Sequence, residues 1–211
     1  LALFDQVNLA TLQAATHALF AADAHIAAAH PINQTVGGQG YLADVISPLG
    51  RAFQGLVRRN EIVLAGSYEG AEWVTSMGTY AGHFVAPWLG IAPSQQLAFV
   101  RFGEFHRMQH GHIVDSQIFL GVAELLIALD RWPLEQSNGY EGLYPGPATH
   151  DGIQSTPADP ALSRQTGTTV ENMLLQLTSP DAAWRPFWDD KMAWYGPGGF
   201  GSYHTVDAFH A

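Results

Sequence analysis

The chain has 211 residues, of which 47% are apolar and 13% are charged, so it can bury a sizeable core. Its formal net charge is −10, and its nine Lys and Arg residues form no basic run, which argues against nucleic acid or anionic lipid as a partner. It has no cysteine, which excludes disulfides, and no apolar run long enough to span a bilayer. We therefore expect a cytoplasmic globular protein without nucleic-acid or membrane partners.

The first half of the chain predicts helices followed by strands. Apolar spacing predicts helices over residues 4–22 and 41–53, with an extended edge segment over 25–35 that contains Pro31. Four strand-like runs and a closing helix follow, at residues 61–68, 71–85, 97–108, 113–120 and 122–129. The polar turn at 109–112 should join the last two strands as a hairpin. This order lacks both βαβ alternation and a glycine-rich phosphate loop, so the predicted fold class is α+β.

The second half predicts a linker and then a repeat of the beginning. Residues 135–165 are rich in Pro and Gly, which is typical of a linker or a wrapping arm. A helix is predicted over 170–177, and residues 187–209 then parallel residues 20–42: helix, acidic turn, edge strand with Pro, glycine pair, new helix. Chance similarity of two helix–strand junctions is the alternative. We predict a domain over 1–134, the arm over 135–165, and an incomplete second copy over 166–211.

Several short motifs, taken in order, resemble the SnoaL-like polyketide cyclase family of the NTF2-like superfamily. The resemblance covers about residues 5–134 and rests on Gly70-Ala71-Glu72-Trp73-Val74, Gly78-Thr79-Tyr80-Ala81-Gly82-His83-Phe84, Trp88-Leu89-Gly90-Ile91, Val100-Arg101-Phe102-Gly103-Glu104-Phe105-His106-Arg107 and Gly111-His112-Ile113-Val114. It implies a curved antiparallel sheet wrapped over N-terminal helices, a cone whose open end holds an apolar ligand. The stretch 194–201 is similar to the second half of two-domain members, which implies a second domain truncated at Ala211.

In that family an Asp just before the closing helix acts as general acid/base in an intramolecular aldol ring closure. The matching position here is Gly121, which has no proton to give. Three readings therefore stay open. In the first, the chain is a cyclase- or isomerase-like enzyme that moves a proton next to a carbonyl of an apolar ligand without a cofactor. In the second, it is a non-catalytic small-molecule-binding module. In the third, it is a scaffold that dimerises through its sheet.

The predicted hairpin suggests which residues carry the chemistry. With a turn at 109–112, the side chains of Asp115, Gln117 and Phe119 oppose those of His106, Glu104 and Phe102. On the inner face, His106, Asp115 and Glu104 would form a catalytic proton-transfer site. On the outer face they would be ordinary solvated cross-strand pairs.

The predicted ligand pocket combines aromatic and polar side chains of the strands. Its members are Trp73, Tyr80, His83, Trp88, Phe102, Gln117, Phe119 and His30. Strand aromatics are also common in cores, and the histidines are as consistent with structural hydrogen bonding. His110 and His112 lie in a turn without further convergent ligands, so no metal is expected, and no Gly-x-Ser-x-Gly elbow occurs.

Overall fold

The computed structural model describes residues 5–6, 9–142, 144–149, 151–154 and 156–210. The chain divides into two compact units. The first comprises Leu1–Pro133 and Leu143–Gln154, and the second comprises Leu134–Gly142 and Ser155–Ala211. No helix in the described part of the chain is long and apolar enough to cross a membrane.

The first unit contains a curved, unclosed seven-stranded sheet. Its strands are β1 (Asp5–Gln6), β2 (Phe20–Ala28), β3 (Gln34–Val36), β4 (Phe53–Tyr68), β5 (Ala71–Phe84), β6 (Leu97–Gln109) and β7 (His112–Leu120). Their spatial order is β1-β4-β5-β6-β7-β2-β3, and every neighbouring pair is antiparallel except β2 and β7. The predicted α+β class and the antiparallel meander from β4 to β7 are therefore confirmed.

The helices of the first unit cover one face of this sheet, as the resemblance implies. They are α1 (Leu9–Leu19), α2 (Gly37–Gly40), a π-helical stretch (Tyr41–Ile46), α3 (Ser47–Ala52) and α4 (Val122–Ala128). A Cβ atom at Gly37 would lie 2.6 Å from the carbonyl oxygen of Ala22, and one at Gly38 would lie 2.6 Å from that of Thr16. Only glycine at these two positions lets the helix begin this close to α1 and β2.

Side-chain alternation on the central strands decides what is buried. On β5 and β6, Ser76, Tyr80, Val100, Phe102 and Glu104 are buried, and residues between them are more exposed. We call the buried side the inner face, because it carries the core with the buried helix residues Val45, Ile46 and Leu49. The opposite side is the outer face.

Three boundaries differ from the sequence-based prediction. The helix predicted to reach residue 22 ends at Leu19, because β2 begins at Phe20 and pairs with β7. The strand predicted from residue 61 begins at Phe53, where pairing with Phe84 overrides helical periodicity. The start of the first predicted helix is also wrong, since Asp5–Gln6 form β1, paired with β4, and α1 begins at Leu9. Residues 4, 7 and 8 of the predicted helix lie outside the described residues.

A β-bulge changes the register of the β6–β7 hairpin. Next to the turn, Met108 pairs with Ile113, as predicted, but the next pair is Arg107 with Asp115. Val114 is thus an extra residue on β7. Because side chains alternate, this one-residue shift moves every later β7 side chain to the other face.

Part of the proline-rich region runs along the edge of β4. Val63 donates its backbone N–H to the carbonyl of Gly152 at 2.9 Å, and its own carbonyl accepts from Gln154 at 3.0 Å. Residues 152–154 therefore cover a stretch of strand edge that would otherwise expose unpaired backbone groups.

The second unit is built on aromatic side chains. It contains α5 (Pro160–Gln176), a short 3₁₀ turn (Arg185–Phe187), β8 (Ala193–Tyr195), β9 (Ser202–His204) and α6 (Val206–His210). The ring of Trp184 contacts those of Trp188 and Phe209, with centroids 6.0 and 5.4 Å away. α5 begins ten residues before its predicted start at 170, and Asp159 caps it by accepting from the Ala161 N–H at 2.8 Å. Gly199 and Gly201 lie in the turn between β8 and β9, so their predicted alignment with Gly37-Gly38 is wrong.

Candidate functional site

An ion pair between partly buried Arg58 and buried Glu104 on the inner face organises the candidate site. Arg58 of β4 donates to both carboxylate oxygens of Glu104 of β6, at 3.1 and 2.7 Å. Its remaining N–H groups donate to Asn60, Tyr80 and Ser76, at 3.1, 2.7 and 2.9 Å. All five guanidinium donors are therefore used within the protein.

The ion pair is enclosed by aromatic rings. The Arg58 guanidinium lies 4.0 Å from the centroid of the Phe102 ring, and Tyr41 donates its hydroxyl to Glu104 at 3.3 Å. Burial raises the pKa of the Tyr41 phenol, and the nearby Glu104 charge raises it further. Burial likewise raises the pKa of Tyr80. Both phenols are therefore neutral hydrogen-bonding groups at ordinary pH.

Glu104 is held in its ionised form although it is only 2% exposed. Burial alone would raise its pKa, but the Arg58 charge and the contacts with His106 and Arg58 outweigh burial and lower the pKa to about 2. A carboxylate with such a low pKa is a poor proton acceptor near neutral pH. Its chemical role is to fix Arg58 and to place negative charge beside His106.

His106 lies between Glu104 and Ser116. Its Nδ1 is 2.8 Å from the Ser116 hydroxyl oxygen, and its Nε2 is 3.5 Å from a Glu104 carboxylate oxygen. The second distance is longer than a hydrogen bond but short enough for strong electrostatic attraction. The carboxylate therefore favours a proton on Nε2, which leaves Nδ1 to accept the Ser116 hydroxyl proton. The His106 side chain is 13% exposed, and its ring packs edge-on against Phe20 at 6.4 Å.

Asp115 does not join this cluster, so the predicted shared face with His106 and Glu104 is wrong. The extra residue Val114 turns Asp115 to the outer face, where it lies 3.9 Å from Arg107 and 4.0 Å from His25. The same shift makes Ser116 the partner of His106, and it turns Gln117 and Phe119 outward.

The remaining predicted pocket residues divide between the two faces. Tyr80, Phe102 and Trp88 are buried, Trp88 against the ring of Phe53. Trp73 and Gln117 line an outer-face groove of about 470 Å³. His83 and His30 are exposed. His83 alternates on β5 with the inward Gly82, and His30 lies in the turn between β2 and β3. The expectation of one pocket lined by all eight residues is thus wrong. Within the described residues, no three His, Asp or Glu side chains are grouped to hold a metal ion.

Gly121 does not leave a gap in the cluster. It precedes α4, and a Cβ atom there would lie 2.8 Å from a Glu124 carboxylate oxygen and 3.1 Å from the Cβ of Arg101. An acidic side chain at this position would therefore meet the Glu124 carboxylate.

Sequence reasoning missed Arg58, Tyr41 and Ser116. Arg58 lies in a stretch that was predicted as neither helix nor strand, between 53 and 61. A signal for it exists, because Leu56, Arg58 and Asn60 alternate with Val57 and Arg59, which is typical of a strand. Ser116 could not be placed without knowing of the bulge at Val114.

Comparisons with known proteins find likenesses in solved structures. No protein-family model and no curated protein matches the sequence. IdmH from Streptomyces antibioticus, provisionally assigned as a polyketide cyclase, is 17% identical over 58% of this chain and 87% of its own, with a TM-score of 0.46. A provisionally assigned SnoaL-like polyketide cyclase from Jannaschia sp. CCS1 is 18% identical over 58% and 79%, with a TM-score of 0.46.

An NTF2-like protein from Burkholderia thailandensis is 15% identical over 58% of this chain and 93% of its own, with a TM-score of 0.41. At these identities and TM-scores the likenesses say nothing about ligand or chemistry. The site is interpreted below from its own geometry.

Proposed function

We propose that the first unit binds an apolar, carbonyl-containing small molecule and moves a proton next to the carbonyl without a cofactor, with His106 as the proton-transfer group. One observation carries this proposal: His106 is a partly accessible imidazole on the inner face, oriented on one side by Ser116 and on the other by ionised Glu104. This is the arrangement of an acid/base imidazole whose tautomer is set by its neighbours.

The proposed step is a proton abstraction. Ser116 first rotates its hydroxyl away from Nδ1 of His106, which frees the one lone pair of that nitrogen. The proton of a carbon next to the carbonyl then passes to Nδ1, and the electron pair of the broken C–H bond forms an enolate with negative charge on the carbonyl oxygen. The Glu104 carboxylate, 3.5 Å from Nε2, faces the positive charge that forms on the ring. The proton returns to carbon when the step reverses. When the enolate carbon instead attacks a second carbonyl carbon of the ligand and closes a ring, the π bond of that carbonyl breaks and the proton passes to the alkoxide oxygen.

Hydrogen–deuterium exchange of a simple ketone tests the proposal. The full chain is incubated in D₂O with 2-acetylnaphthalene, and loss of the acetyl proton signal is followed by NMR. We expect wild-type protein to accelerate exchange and His106→Gln to lose that acceleration, by about a hundredfold or more for an acid/base group. His83→Gln, at an exposed histidine of the outer face, is the matched control. Equal rates for wild type and His106→Gln would contradict the proposal.

A second candidate function is self-association through the outer face. Phe105 and Phe119 are 44% and 53% exposed, with their rings 6.3 Å apart, beside the groove lined by Trp73. Exposed aromatic patches of this kind are typical of association surfaces. Sedimentation of wild type and of Phe105→Ser tests it. A homodimer that dissociates in the variant would support it, and a wild-type monomer at micromolar concentration would contradict it.

A further inference from the structure

A separate cleft of about 680 Å³ lies beside the buried cluster. It is formed where α1 and β2 meet the start of α2 and the β6–β7 turn, and it is within the size range of small-molecule sites. None of the residues proposed from the sequence as pocket or catalytic residues lines it.

Two irregularities of the sheet open this cleft. Between the pairs Phe20–Ile113 and His25–Asp115, β2 has three more residues than β7, and Val114 is itself the bulged residue of β7. Ala22 and Val114 both line the cleft. The strands therefore separate locally instead of packing together, and the bulges that re-aim the site residues also create the space next to them.

The chemistry of the lining suits an uncharged amphiphilic ligand. The walls include Phe20, Ala22 and Val114, and the polar groups come from His17, Gln39 and His110. Gln39 and His17 hydrogen-bond to each other. No carboxylate, lysine or arginine is among the described lining residues, so a fully charged ligand would find no permanently charged partner there. Amide and imidazole groups can instead meet carbonyl and hydroxyl groups of a ligand.

Phe20 stands between this cleft and the buried cluster. It lines the cleft, is 8% exposed, stacks on Tyr41 at 5.2 Å and meets the edge of His106 at 6.4 Å. A ligand in the cleft is therefore one aromatic ring away from the imidazole.

We propose that this cleft is the binding site for an uncharged, amphiphilic carbonyl compound, and that Phe20 controls how far the ligand reaches toward His106. The proposal rests on the proposed function for the identity of the ligand, but the place of binding is tested without any chemistry. Phe20 is a positioning residue in this account, since it bears no group that exchanges protons.

Binding of 2-acetylnaphthalene to the full chain tests the site. Calorimetric titration gives the affinity, and NMR shifts of the His110 and His106 ring protons give the location. Ala22→Trp places an indole in the cleft and should weaken binding by about tenfold or more, since the ring takes space that the ligand needs. Ala65→Trp, at an exposed alanine lining the outer-face groove, is the matched control and should leave affinity within about twofold.

Replacing the Phe20 ring by a smaller side chain tests its role. Phe20→Leu should retain binding and enlarge the ligand-induced shift of the His106 resonance, because the ligand can approach the imidazole. An unchanged His106 shift in this variant would overturn the role of Phe20. Loss of binding in Ala65→Trp but not in Ala22→Trp would overturn the site, as would failure of wild type to bind at millimolar concentrations.

These outcomes separate the inference from the proposed function. Ala22-sensitive binding without His106-dependent deuterium exchange would leave the cleft assigned and refute the proton transfer. His106-dependent exchange that Ala22→Trp does not affect would support the proton transfer and overturn the cleft.

Discussion

The beginning of the first unit and the end of the second follow the same local path with different side chains. In the first, the pair of β2 and β3 next to the turn is Ala27 with Gln34, and six residues, 28–33, lie between these two. In the second, β8 and β9 pair Trp194 with Tyr203 across a six-residue connection, 196–201. Each second strand is followed at once by a residue with positive φ, Gly37 at 65° and Thr205 at 84°. Gly37 is the first residue of α2, and Thr205 directly precedes α6.

The ring stack at each junction shows how the two regions diverge. Phe20 stacks on Tyr41 at 5.2 Å, and Trp188 stacks on Phe209 at 5.4 Å. Tyr41 carries the hydroxyl that donates to Glu104. Phe209 has no hydroxyl, and its ring contacts that of Trp184. One backbone pattern therefore serves a polar cluster in the first unit and a purely aromatic one in the second. That the second is the start of another copy of the first stays a prediction.

The largest expected effect comes from neutralising Glu104. Glu104→Gln leaves the partly buried Arg58 guanidinium without its counter-charge, and we expect the first unit to lose about 3–5 kcal/mol of unfolding free energy. Chemical denaturation followed by circular dichroism measures it. The double variant Arg58→Met/Glu104→Leu, which removes both charges, should recover most of the loss. If the single variant is as stable as wild type, the ion pair does not hold the first unit together.

Truncating Trp184 should act on the second unit alone. Trp184→Ala removes a buried ring from the aromatic cluster and should cost about 3 kcal/mol there. Amide hydrogen exchange should show about a hundredfold loss of protection in β9 and α6, and none in β5 and β6. Equal loss of amide protection in both units would show that they unfold together, which would contradict the comparison of two separate units.

Acid should weaken the first unit through Glu104. Its folded-state pKa of about 2 lies below the ordinary value of 4.5, so its stabilisation is complete above about pH 4.5 and is lost as the pH falls toward 2. The loss amounts to at most about 3 kcal/mol, from the size of the pKa difference. Denaturation curves between pH 6 and pH 2 measure it, and Arg58→Met/Glu104→Leu should lack this component. A wild-type slope no steeper than that of the double variant would contradict the assignment.

The smallest expected effect comes from variants that make the two ring stacks chemically alike. Tyr41→Phe removes one long hydrogen bond to Glu104 and should cost about 1 kcal/mol, since Arg58 still satisfies the carboxylate. Phe209→Tyr, the reverse change, should bring the second unit no gain. Thermal denaturation of both variants measures this. A loss as large as that of Glu104→Gln would mean that the Tyr41 hydroxyl, and not Arg58, holds the carboxylate.

The sequence predicted the order of elements but not the face of every side chain. Periodicity and turn chemistry were sufficient for the meander and for placing Glu104 and His106 on the same face, because this follows from alternation on one strand. Whether that face is the inner or the outer one stayed open in the sequence. The position of Asp115 depended on a single extra residue, Val114, and no propensity marks it as a bulge. Arg58 was missed because β4 starts eight residues before its predicted start, as pairing with β5 extends the strand through Arg58.

The protonation state of each His106 nitrogen tests the central claim most directly. Proton transfer through His106 requires Nδ1 to be the acceptor, with Ser116 donating to it and Glu104 favouring the proton on Nε2. Nitrogen-15 chemical shifts of the His106 ring, assigned by comparison with His106→Gln, distinguish the two neutral tautomers. The account predicts that the neutral ring carries its proton on Nε2. A neutral ring protonated on Nδ1 would leave no acceptor facing Ser116 and would contradict the proposed role of His106.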